Sequence, residues 1–376
     1  MRLLVPFGTR PEIVKLAPVV TALRTGGDDV VVVATGQHHD PGLTEVFYRE
    51  LGVGPDIVLT PGGDRAQRLG AILTGAMATV EQARPDAVLV MGDTHTVPAY
   101  CLAARNHTIP VIHLEAGLRS FNPTSVEEVN RRIAAATAAL HLAPTETARR
   151  FLLAEGVADE RIAVVGNPVL DALRVIGATR RPTAERSGVL LTAHRPTNVD
   201  DPQRLEQLVA LVHDLADAVG PVTFPVHPRT RQALHRAELW QRLAGPGVTV
   251  VEPVPYSTMV GMVAAARVVV TDSGGLQEEA SWLGVPVVVL RRSTPRWESV
   301  RNGSAILTGL DAPHALKAAI ELTAPEVQQR VAALICPYGD GQTGRLVSAL
   351  LRDPATAALL RLDEPDYVGR LPAELP

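Results

Sequence analysis

Several carboxylates and arginines follow one apolar strand in the stretch VIHLEAGLRSFNPTSVEEVNRR, residues 111–132. Glu115 stands where the predicted strand ends, and Glu127 and Arg131 come later, one helical turn apart. The latter two could simply pair, and Ser125 and Glu128 fit a capping box. Neither explanation covers Glu115, because a carboxylate that ends a strand in an apolar sheet needs a partner or a purpose. We therefore interpret this stretch as a source of carboxylates for proton transfer.

Three further polar residues closely follow apolar runs. Asp93 comes after AVLVM, His194 after VLLTA, and His227 after VTFPV. Asp93 by itself is explained as a helix N-cap, and a lone histidine at a strand end is more often structural than catalytic. Two histidines opposite several carboxylates are harder to explain by packing alone. Together these residue types are typical of a site that moves protons.

Two cations occur where a strand, a tight turn and a helix follow one another in FGTRPEIVKLAP, residues 7–18. Arg10 and Lys15 flank the predicted start of that helix, where free backbone N–H groups and the helix dipole favour an anion. Two solvated cations on a surface helix explain the pattern equally well.

The stretch TDSGGLQEEA, residues 271–280, favours a phosphate site more clearly. Ser273, Gly274 and Gly275 lead from a buried strand into a helix, and paired glycines let the backbone approach a phosphate closely. Glu278 and Glu279 follow one turn later, where a carboxylate could accept hydrogen bonds from ribose hydroxyls. An ordinary N-cap with acids near the positive end of the helix dipole is the alternative.

These residues need a scaffold that brings strand ends together, and the rest of the sequence predicts one. Near-continuous apolar runs alternate with helix-length segments such as 11–24 and 97–105, which is typical of parallel sheets covered on both faces. The predicted strands are 3–7, 30–34, 87–91, 111–115 and 162–165 in the first half, and 189–193, 222–226, 248–251, 268–271 and 285–290 in the second. A polar segment, 178–188, separates the halves. We expect two doubly wound α/β domains that face each other across a cleft, with ligands beyond the carboxyl ends of the strands.

Length and composition agree with two globular domains. The chain has 376 residues, of which 46% are hydrophobic and 20% charged, with a net charge of −4. Interspersed charges give no indication of a nucleic-acid or membrane surface, and no apolar run approaches the length of a membrane span. Two cysteines cannot form a disulfide framework, and they lack metal-ligand spacing. With no signal-peptide pattern at its start, the chain is expected to be cytoplasmic.

One glycine motif is misleading. GDGQTG, residues 339–344, matches the dinucleotide fingerprint letter for letter. That fingerprint must follow a strand and open a βαβ unit, whereas only the last predicted helix follows here. We interpret it as a turn before a helix and expect no nicotinamide cofactor.

The ordered set of motifs resembles one family along nearly the whole chain. FGTRPEIVKLAPV, GDT, HLEAGLRSF, EEVNR, APTE, AHR, TDSGGLQEEA and PYGDG occur within residues 7–341 in the order seen in the non-hydrolysing UDP-N-acetylglucosamine 2-epimerases. The resemblance implies two Rossmann-like domains of the glycosyltransferase-B type, a homodimer, and a reaction without metal or other cofactor. We expect an N-terminal domain at 1–175, a UDP-binding domain at 176–353, and a tail at 354–376 that packs back on the first domain.

The resemblance also implies roles for particular residues. UDP would leave by anti elimination to give 2-acetamidoglucal and would re-add after proton delivery to the other face of C2. The catalytic positions match Asp93, Glu115, Glu127 and His194. The positions that bind UDP or the sugar match Arg10, Lys15, Arg131, Tyr256, Met259, Ser273, Gly274, Gly275, Glu279 and Arg296.

The sequence departs from the family at a second, activating nucleotide-sugar site. Gln37, Gln67, Arg195 and His227 match that site, but the arginine expected before Gln67 is an alanine. The usual HRREN is HRPTN here. A separate departure concerns the substrate site, where Met259 stands at the position of an aromatic residue that often stacks on uracil. We predict weakened or absent activation by UDP-N-acetylglucosamine (UDP-GlcNAc).

Other functions remain open at this level. A hydrolysing relative would release free N-acetylmannosamine and UDP, and a glycosyltransferase would pass the sugar to an acceptor without exchanging hydrogen at C2. A binding protein without activity would not need the retained carboxylates. A modified UDP-hexosamine, including one from antibiotic biosynthesis, would fit the same motifs.

Overall fold

Two parallel sheets organise the chain in the computed structural model, which describes residues 1–36, 48 and 52–364. The first sheet has the order β3-β2-β1-β4-β5-β6-β7 and the second β10-β9-β8-β11-β12-β13, and all described pairings are parallel. The strands of the first sheet are β1 Arg2–Phe7, β2 Asp29–Ala34, β3 Ile57–Val58, β4 Ala87–Met91, β5 Val111–Leu114, β6 Leu140–Ala143 and β7 Ile162–Val164. Those of the second are β8 Val189–Thr192, β9 Val222–Pro225, β10 Val248–Val251, β11 Val268–Thr271, β12 Val287–Val289 and β13 Ala305–Leu307.

Helices connect the strands and cover both sheets. Those of the first half are α1 Arg10–Thr25, α2 Arg65–Ala83, α3 Thr96–Asn106, α4 Val126–Thr137, α5 Glu146–Ala154 and α6 Val169–Val175. Those that follow are α7 Pro196–Val199, α8 Pro202–Ala218, α9 Pro228–Arg236, α10 Tyr256–Ala265, α11 Gly274–Leu283, α12 Trp297–Arg301, α13 Ala312–Leu322, α14 Pro325–Ala333, α15 Thr343–Leu350 and α16 Pro354–Leu359. The predicted fold class, two doubly wound parallel-sheet domains, is confirmed. Among the described residues, no helix is long and apolar enough to cross a bilayer.

Each sheet is buried on both faces, which explains why its strands form unbroken apolar runs. Separate clusters of buried side chains lie on the two faces of each sheet. In the first sheet, Leu89 belongs to one cluster and its neighbours Val88 and Val90 to the other. Side chains of a strand alternate between faces, so both must be apolar when helices cover both. All ten predicted strands are present, with ends within two residues of the prediction.

Three strands were not predicted: β3, β6 and β13. β3 has only two residues and β13 only three, too few to form a periodic pattern. β6 is the segment LHLA within an alanine-rich stretch that follows a helix. In each case pairing with a neighbouring strand supplies order that the local sequence does not indicate.

The last helices return to the first domain. α15 lies against α1, where a side chain at Gly344 would come within 2.8 Å of the Pro18 carbonyl oxygen. Val347, Leu351 and Leu360 belong to the core of the N-terminal domain. The region 339–342 forms a turn with positive φ at Gly339 and Gly341, ahead of α15. The domain boundaries stated above stay predictions.

Two histidines lie side by side on neighbouring strands of the first sheet. His113 on β5 and His141 on β6 are register partners, and both are buried. The Nδ1 atom of neither one has a hydrogen-bond partner among the described residues. Burial lowers the pKa of His113 to about 4 and that of His141 to about 3. Both therefore enter the folded state without charge.

Replacing His141 by leucine is expected to reduce the loss of stability in acid. The unfolded histidine takes up a proton below its ordinary pKa of 6.5, whereas the folded one does not, so stability falls as the pH drops below 6.5. Between pH 7 and pH 5 this single group costs about 2 kcal/mol. Urea titrations at both pH values should show that difference shrink in His141→Leu but not in the control His314→Leu, which alters an exposed histidine. Equal pH dependence in all three proteins would contradict the assignment.

Candidate active site

The site lies between the domains, at the carboxyl ends of four strands. In both sheets the strand order reverses between two central neighbours: β1 and β4 in the first, β8 and β11 in the second. Ligands of such sheets bind at this topological switch point. Asp93 follows β4, His194 follows β8, and Ser273 follows β11. A cavity of about 1440 Å³ opens here, lined by residues of both domains that include Asp93, Glu127 and Arg195.

Asp93 is held by an arginine from α4. Arg131 donates to the same Asp93 oxygen from Nε at 3.0 Å and from Nη2 at 2.7 Å. The Asn130 amide donates to the Asp93 carbonyl at 2.8 Å. Burial opposes ionisation of Asp93, but the charges of Arg131, Arg296 and Arg195 hold the pKa of its carboxyl below the ordinary value. Asp93 is thus a carboxylate of fixed orientation that is still 28% exposed to the cavity.

Glu127 approaches the cavity from the first turn of α4. It accepts hydrogen bonds from Ser125 Oγ at 2.5 Å and from Arg195 Nη1, of the other domain, at 3.3 Å. Burial raises the pKa of Glu127, whereas these two contacts lower it, and the net pKa lies below the ordinary value. The Asp93 charge acts in the raising sense, so the two carboxylates interact electrostatically. Glu127 is the more open of the two, at 39% exposure.

The capping box of Ser125 with Glu128 and the ion pair of Glu127 with Arg131, which the sequence suggested for α4, are both wrong. Ser125 makes no side-chain cap hydrogen bond and donates to Glu127 instead. Glu128 accepts from Ser120 and from Arg131, which in turn binds Asp93 and not Glu127. Neither the capping box nor the pair of Glu127 with Arg131 forms, so Glu127 remains available to the cavity.

Glu115 lies deeper, in a buried group of charges that joins the domains. Lys15 Nζ contacts Glu115 at 2.6 Å and Glu278, from α11, at 3.0 Å. Asn167 donates to both carboxylates, and Arg296 Nε donates to Glu278 at 2.8 Å. We call these five residues the interdomain ion cluster. Two cations and two anions balance within it, which is the arrangement that makes buried charge tolerable.

The cluster orients Glu115 in an unusual backbone conformation. Its φ is +62°, in the left-handed region that L residues other than Gly, Asn and Asp rarely adopt. Burial disfavours the charged form of Glu115, but Lys15 and Arg296 hold the pKa of its carboxyl below the ordinary value. Strain of this kind persists where surrounding contacts over-determine it, and it is frequent at active sites.

His194 is oriented by a buried aspartate of the second domain. Its Nδ1 lies 3.0 Å from Asp272 Oδ1, and Asp272 also accepts the backbone N–H groups of His194 and Arg195. Burial raises the pKa of Asp272, but the contacts with His194 lower it by more. The net pKa lies below the ordinary value, so the aspartate is ionised. A proton on Nδ1 satisfies this aspartate, which leaves Nε2 for a ligand. The His227 ring is the neighbour, 5.3 Å away between centroids.

The predicted phosphate loop has an open helix N-terminus. α11 begins at Gly274, and Ser273 makes no side-chain cap hydrogen bond there. A side chain at Gly274 would come within 3.1 Å of Arg296 Nη1, whereas one at Gly275 would contact nothing within 4 Å. A side chain at the first position would therefore crowd the Arg296 guanidinium, whereas the turn is open at the second.

The remaining predicted binding residues lie around this loop. Glu279 is buried, and burial raises the pKa of its carboxyl to about 7. Tyr256 packs against Val14 of α1. Tyr256 and Met259 both pack against a second core cluster, which includes Val260 and Val263. Arg10 is exposed at the start of α1.

Each described residue of the predicted effector site has a different hydrogen-bond partner within the protein. Gln67 accepts the backbone N–H of Asp64 and completes a capping box at the start of α2. His227 accepts the Arg229 N–H at the start of α9, and Arg195 binds Glu127. Gln37 lies outside the described residues.

Several residues of the site were not singled out from the sequence. Asp272 and Asn167 orient His194 and Glu115, and the sequence offers for Asp272 only a strand-end acid as a signal. Glu12 accepts hydrogen bonds from Gly8, Thr9 and Thr94 and so ties the loop after β4 to α1. Glu278, considered for ribose, belongs to the interdomain ion cluster instead.

Comparison with known proteins shows which family the chain is similar to. A family model described as UDP-N-acetylglucosamine 2-epimerase matches residues 21–352. The UDP-N-acetylglucosamine 2-epimerase of Methanocaldococcus jannaschii is 34% identical over 366 residues, which cover 93% of this chain and 99% of that protein. Its crystal structure in complex with UDP-GlcNAc and UDP aligns with a TM-score of 0.85, 33% identity, and coverage of 93% of this chain and 99% of that one.

A relative with a different substrate name is similarly close. The UDP-2,3-diacetamido-2,3-dideoxy-D-glucuronate 2-epimerase of Pseudomonas aeruginosa is 36% identical over 320 residues, covering 82% of this chain and 88% of that protein. The shared fold, the extent of both matches and the family model lead to one conclusion. The chain belongs to the UDP-N-acetylglucosamine 2-epimerase family.

Proposed function

We propose that the protein inverts C2 of UDP-GlcNAc reversibly, giving UDP-N-acetylmannosamine (UDP-ManNAc) without hydrolysis. The observation that carries the proposal is the meeting of Asp93 and Glu127 in one cavity, which Arg195, the residue after His194, also lines. Inversion requires removal of hydrogen from one face of C2 and delivery to the other, which needs more than one acid–base group. A glycosyltransferase normally needs only one base.

The reaction begins with loss of UDP from C1. A C2 hydrogen beside an acetamido group is not acidic, so direct abstraction would be very slow. Cleavage of the C1–O bond creates oxocarbenium character at C1 and acidifies the neighbouring C–H. Anti elimination then gives 2-acetamidoglucal and UDP, and re-addition follows protonation of C2 from the opposite face. A positioned base typically contributes roughly 10²–10⁴-fold to such a step.

The environment of each acid suggests a division of roles. Asp93 and Glu127 have pKa values below the ordinary range and reach the cavity, so we assign them to opposite faces of C2. Glu115 is bound by Lys15 and Asn167, which suits it to hold a sugar hydroxyl or relay a proton. His194 presents Nε2 to the departing phosphate because Asp272 takes its Nδ1.

Incubation with UDP-GlcNAc in heavy water tests the proposal directly. We expect deuterium at C2 and a mixture of two UDP-sugars in the proton NMR spectrum. Free N-acetylmannosamine with UDP would establish the hydrolysing activity instead. Retention of hydrogen at C2 would contradict both and would leave sugar transfer to an acceptor.

The altered effector residues lead to a separate prediction. Purified protein supplied only with UDP-ManNAc is expected to form UDP-GlcNAc without a lag, because Gln67 serves as a helix cap and the neighbouring arginine of the family is absent. Progress curves with and without a trace of added UDP-GlcNAc should coincide. A rate that stays negligible until that trace is added would contradict the prediction.

The sugar is the least constrained part of the proposal. The M. jannaschii complex supports UDP-GlcNAc, and the P. aeruginosa relative supports a diacetamido uronate. Parallel exchange assays with both sugars would rank them by kcat/KM. A homodimer and a cytoplasmic location also remain predictions.

A further inference from the structure

We propose that Arg291, which the sequence analysis did not single out, binds the diphosphate of the substrate and stabilises UDP as it leaves. The proposal rests on the proposed function, because it assigns a residue to the same reaction. Arg291 lines the cavity together with Asp93 and Glu127.

Strand register places Arg291 beside the predicted phosphate loop. β11 and β12 are parallel neighbours in which Thr271 is paired with Val289. The Leu290 N–H donates to the Thr271 carbonyl at 2.8 Å and continues the pairing by one step. Ser273 and Arg291 each lie two residues beyond the paired positions. They therefore begin adjacent loops at the same edge of the sheet.

Among the described residues the Arg291 guanidinium has no carboxylate partner, whereas two nearby arginines do. Arg131 binds Asp93, and Arg296 binds Glu278. No hydrogen bond or ion pair joins the Arg291 side chain to any residue in the described ranges 1–36, 48 and 52–364, although the side chain is only partly exposed. A confined guanidinium without a protein anion is a favourable site for an anionic ligand.

The charges around Arg291 strengthen this conclusion. Burial and the nearby charges of Arg195, Arg296 and Arg131 lower the pKa of Arg291 to about 9, and the charge of Glu127 acts in the opposite sense. Like charges that are held close together repel one another. A bound diphosphate would neutralise that repulsion, so the arrangement sacrifices stability of the free protein for ligand affinity.

Bond cleavage increases the demand for positive charge. When the C1–O bond breaks, its electron pair moves to the β-phosphate oxygen, and the diphosphate gains one negative charge. A cation near that oxygen therefore stabilises the products of this step more than the bound substrate. Arg291 should thus affect kcat as well as KM.

The test compares Arg291→Gln, Arg291→Lys and the control Arg292→Gln with the wild type. Arg292 is the next residue and also lines the cavity, but it is exposed, and its replacement removes the same formal charge. Calorimetry would measure UDP affinity, NMR would measure kcat and KM, and thermal unfolding without ligand would measure Tm. Loss of a charge-assisted hydrogen bond predicts UDP affinity weakened roughly 10- to 100-fold in Arg291→Gln. We expect a smaller loss in Arg291→Lys and a change within about two-fold in Arg292→Gln.

Stability separates a ligand-binding role from a structural one. Arg291→Gln should leave Tm unchanged or raise it, because it removes repulsion among arginines. UDP affinity within two-fold of the wild type in Arg291→Gln, or an equal loss in Arg292→Gln, would overturn the proposal. The binding data decide this independently of catalysis: a wild type that binds UDP but fails to exchange hydrogen at C2 would refute the proposed function alone.

Discussion

Replacing Asp93 by asparagine is expected to abolish measurable hydrogen exchange at C2 while UDP binding survives. An amide cannot accept the C2 proton at neutral pH, and loss of a positioned base lowers the rate by roughly 10²–10⁴-fold. Arg131, Asn130 and the α4 helix that carries them are unchanged, so the cavity keeps its shape. The measurement is deuterium incorporation from heavy water by NMR, with UDP affinity from calorimetry.

Asp201 offers a matched control for the charge change. It lines the same cavity and caps α8 by accepting the N–H groups of Gln203 and Arg204. Asparagine is as good an N-cap as aspartate, so Asp201→Asn should fold and exchange like the wild type. Glu127→Gln should behave like Asp93→Asn if the two acids serve opposite faces. Undiminished exchange in Asp93→Asn would remove Asp93 from proton transfer.

Replacing Lys15 by methionine is expected to lower the free energy of unfolding by about 3–5 kcal/mol. Methionine fills the space of the lysine stem but leaves Glu115 and Glu278 facing each other without the cation between them. Burial alone would lower the pKa of Lys15, and the two carboxylates instead raise it above its ordinary value, so the lysine is charged in the wild type. Urea titration followed by circular dichroism measures the loss.

The pH dependence of that loss identifies its cause. In Lys15→Met, one of the two carboxylates that lost the lysine can take up a proton in acid, so the destabilisation should be smaller at pH 5 than at pH 8. Lys317 is the only other lysine of the chain and is exposed on α13. Lys317→Met should change stability by less than about 0.5 kcal/mol. A similar loss in both variants, or one independent of pH, would contradict the role assigned to Lys15.

The sequence was sufficient to predict the fold because both sheets obey simple rules. Strands buried on two faces must be apolar throughout, and this pattern predicted ten of the strands. The same pattern did not predict β3, β6 and β13, because these strands have only two to four residues and depend on pairing with a neighbouring strand. Two doubly wound sheets in turn imply a site at the strand ends, which is where Asp93, His194 and Ser273 lie.

Partners within the site were much harder to predict. Helical spacing suggested an ion pair between Glu127 and Arg131. In the structure Arg131 instead donates hydrogen bonds to Asp93, which follows a different strand. Lys15 was expected near a phosphate, yet it binds Glu278, a residue 263 positions away. Arg291 gave no signal, because a cation without a partner cannot be recognised until every neighbour is known.

The amino-acid order alone therefore determined which residue types stand at strand ends, because the alternation of apolar strands and helices is a local property. Only the tertiary structure decided which charges meet and which stay open to a ligand. Coulomb interactions depend on separation in space and on burial, and both arise when two domains close over a shared cleft. Three features belong to that second kind of information: the interdomain ion cluster, the Asp272–His194 contact, and the Arg291 guanidinium, which has no ion-pair partner among the described residues.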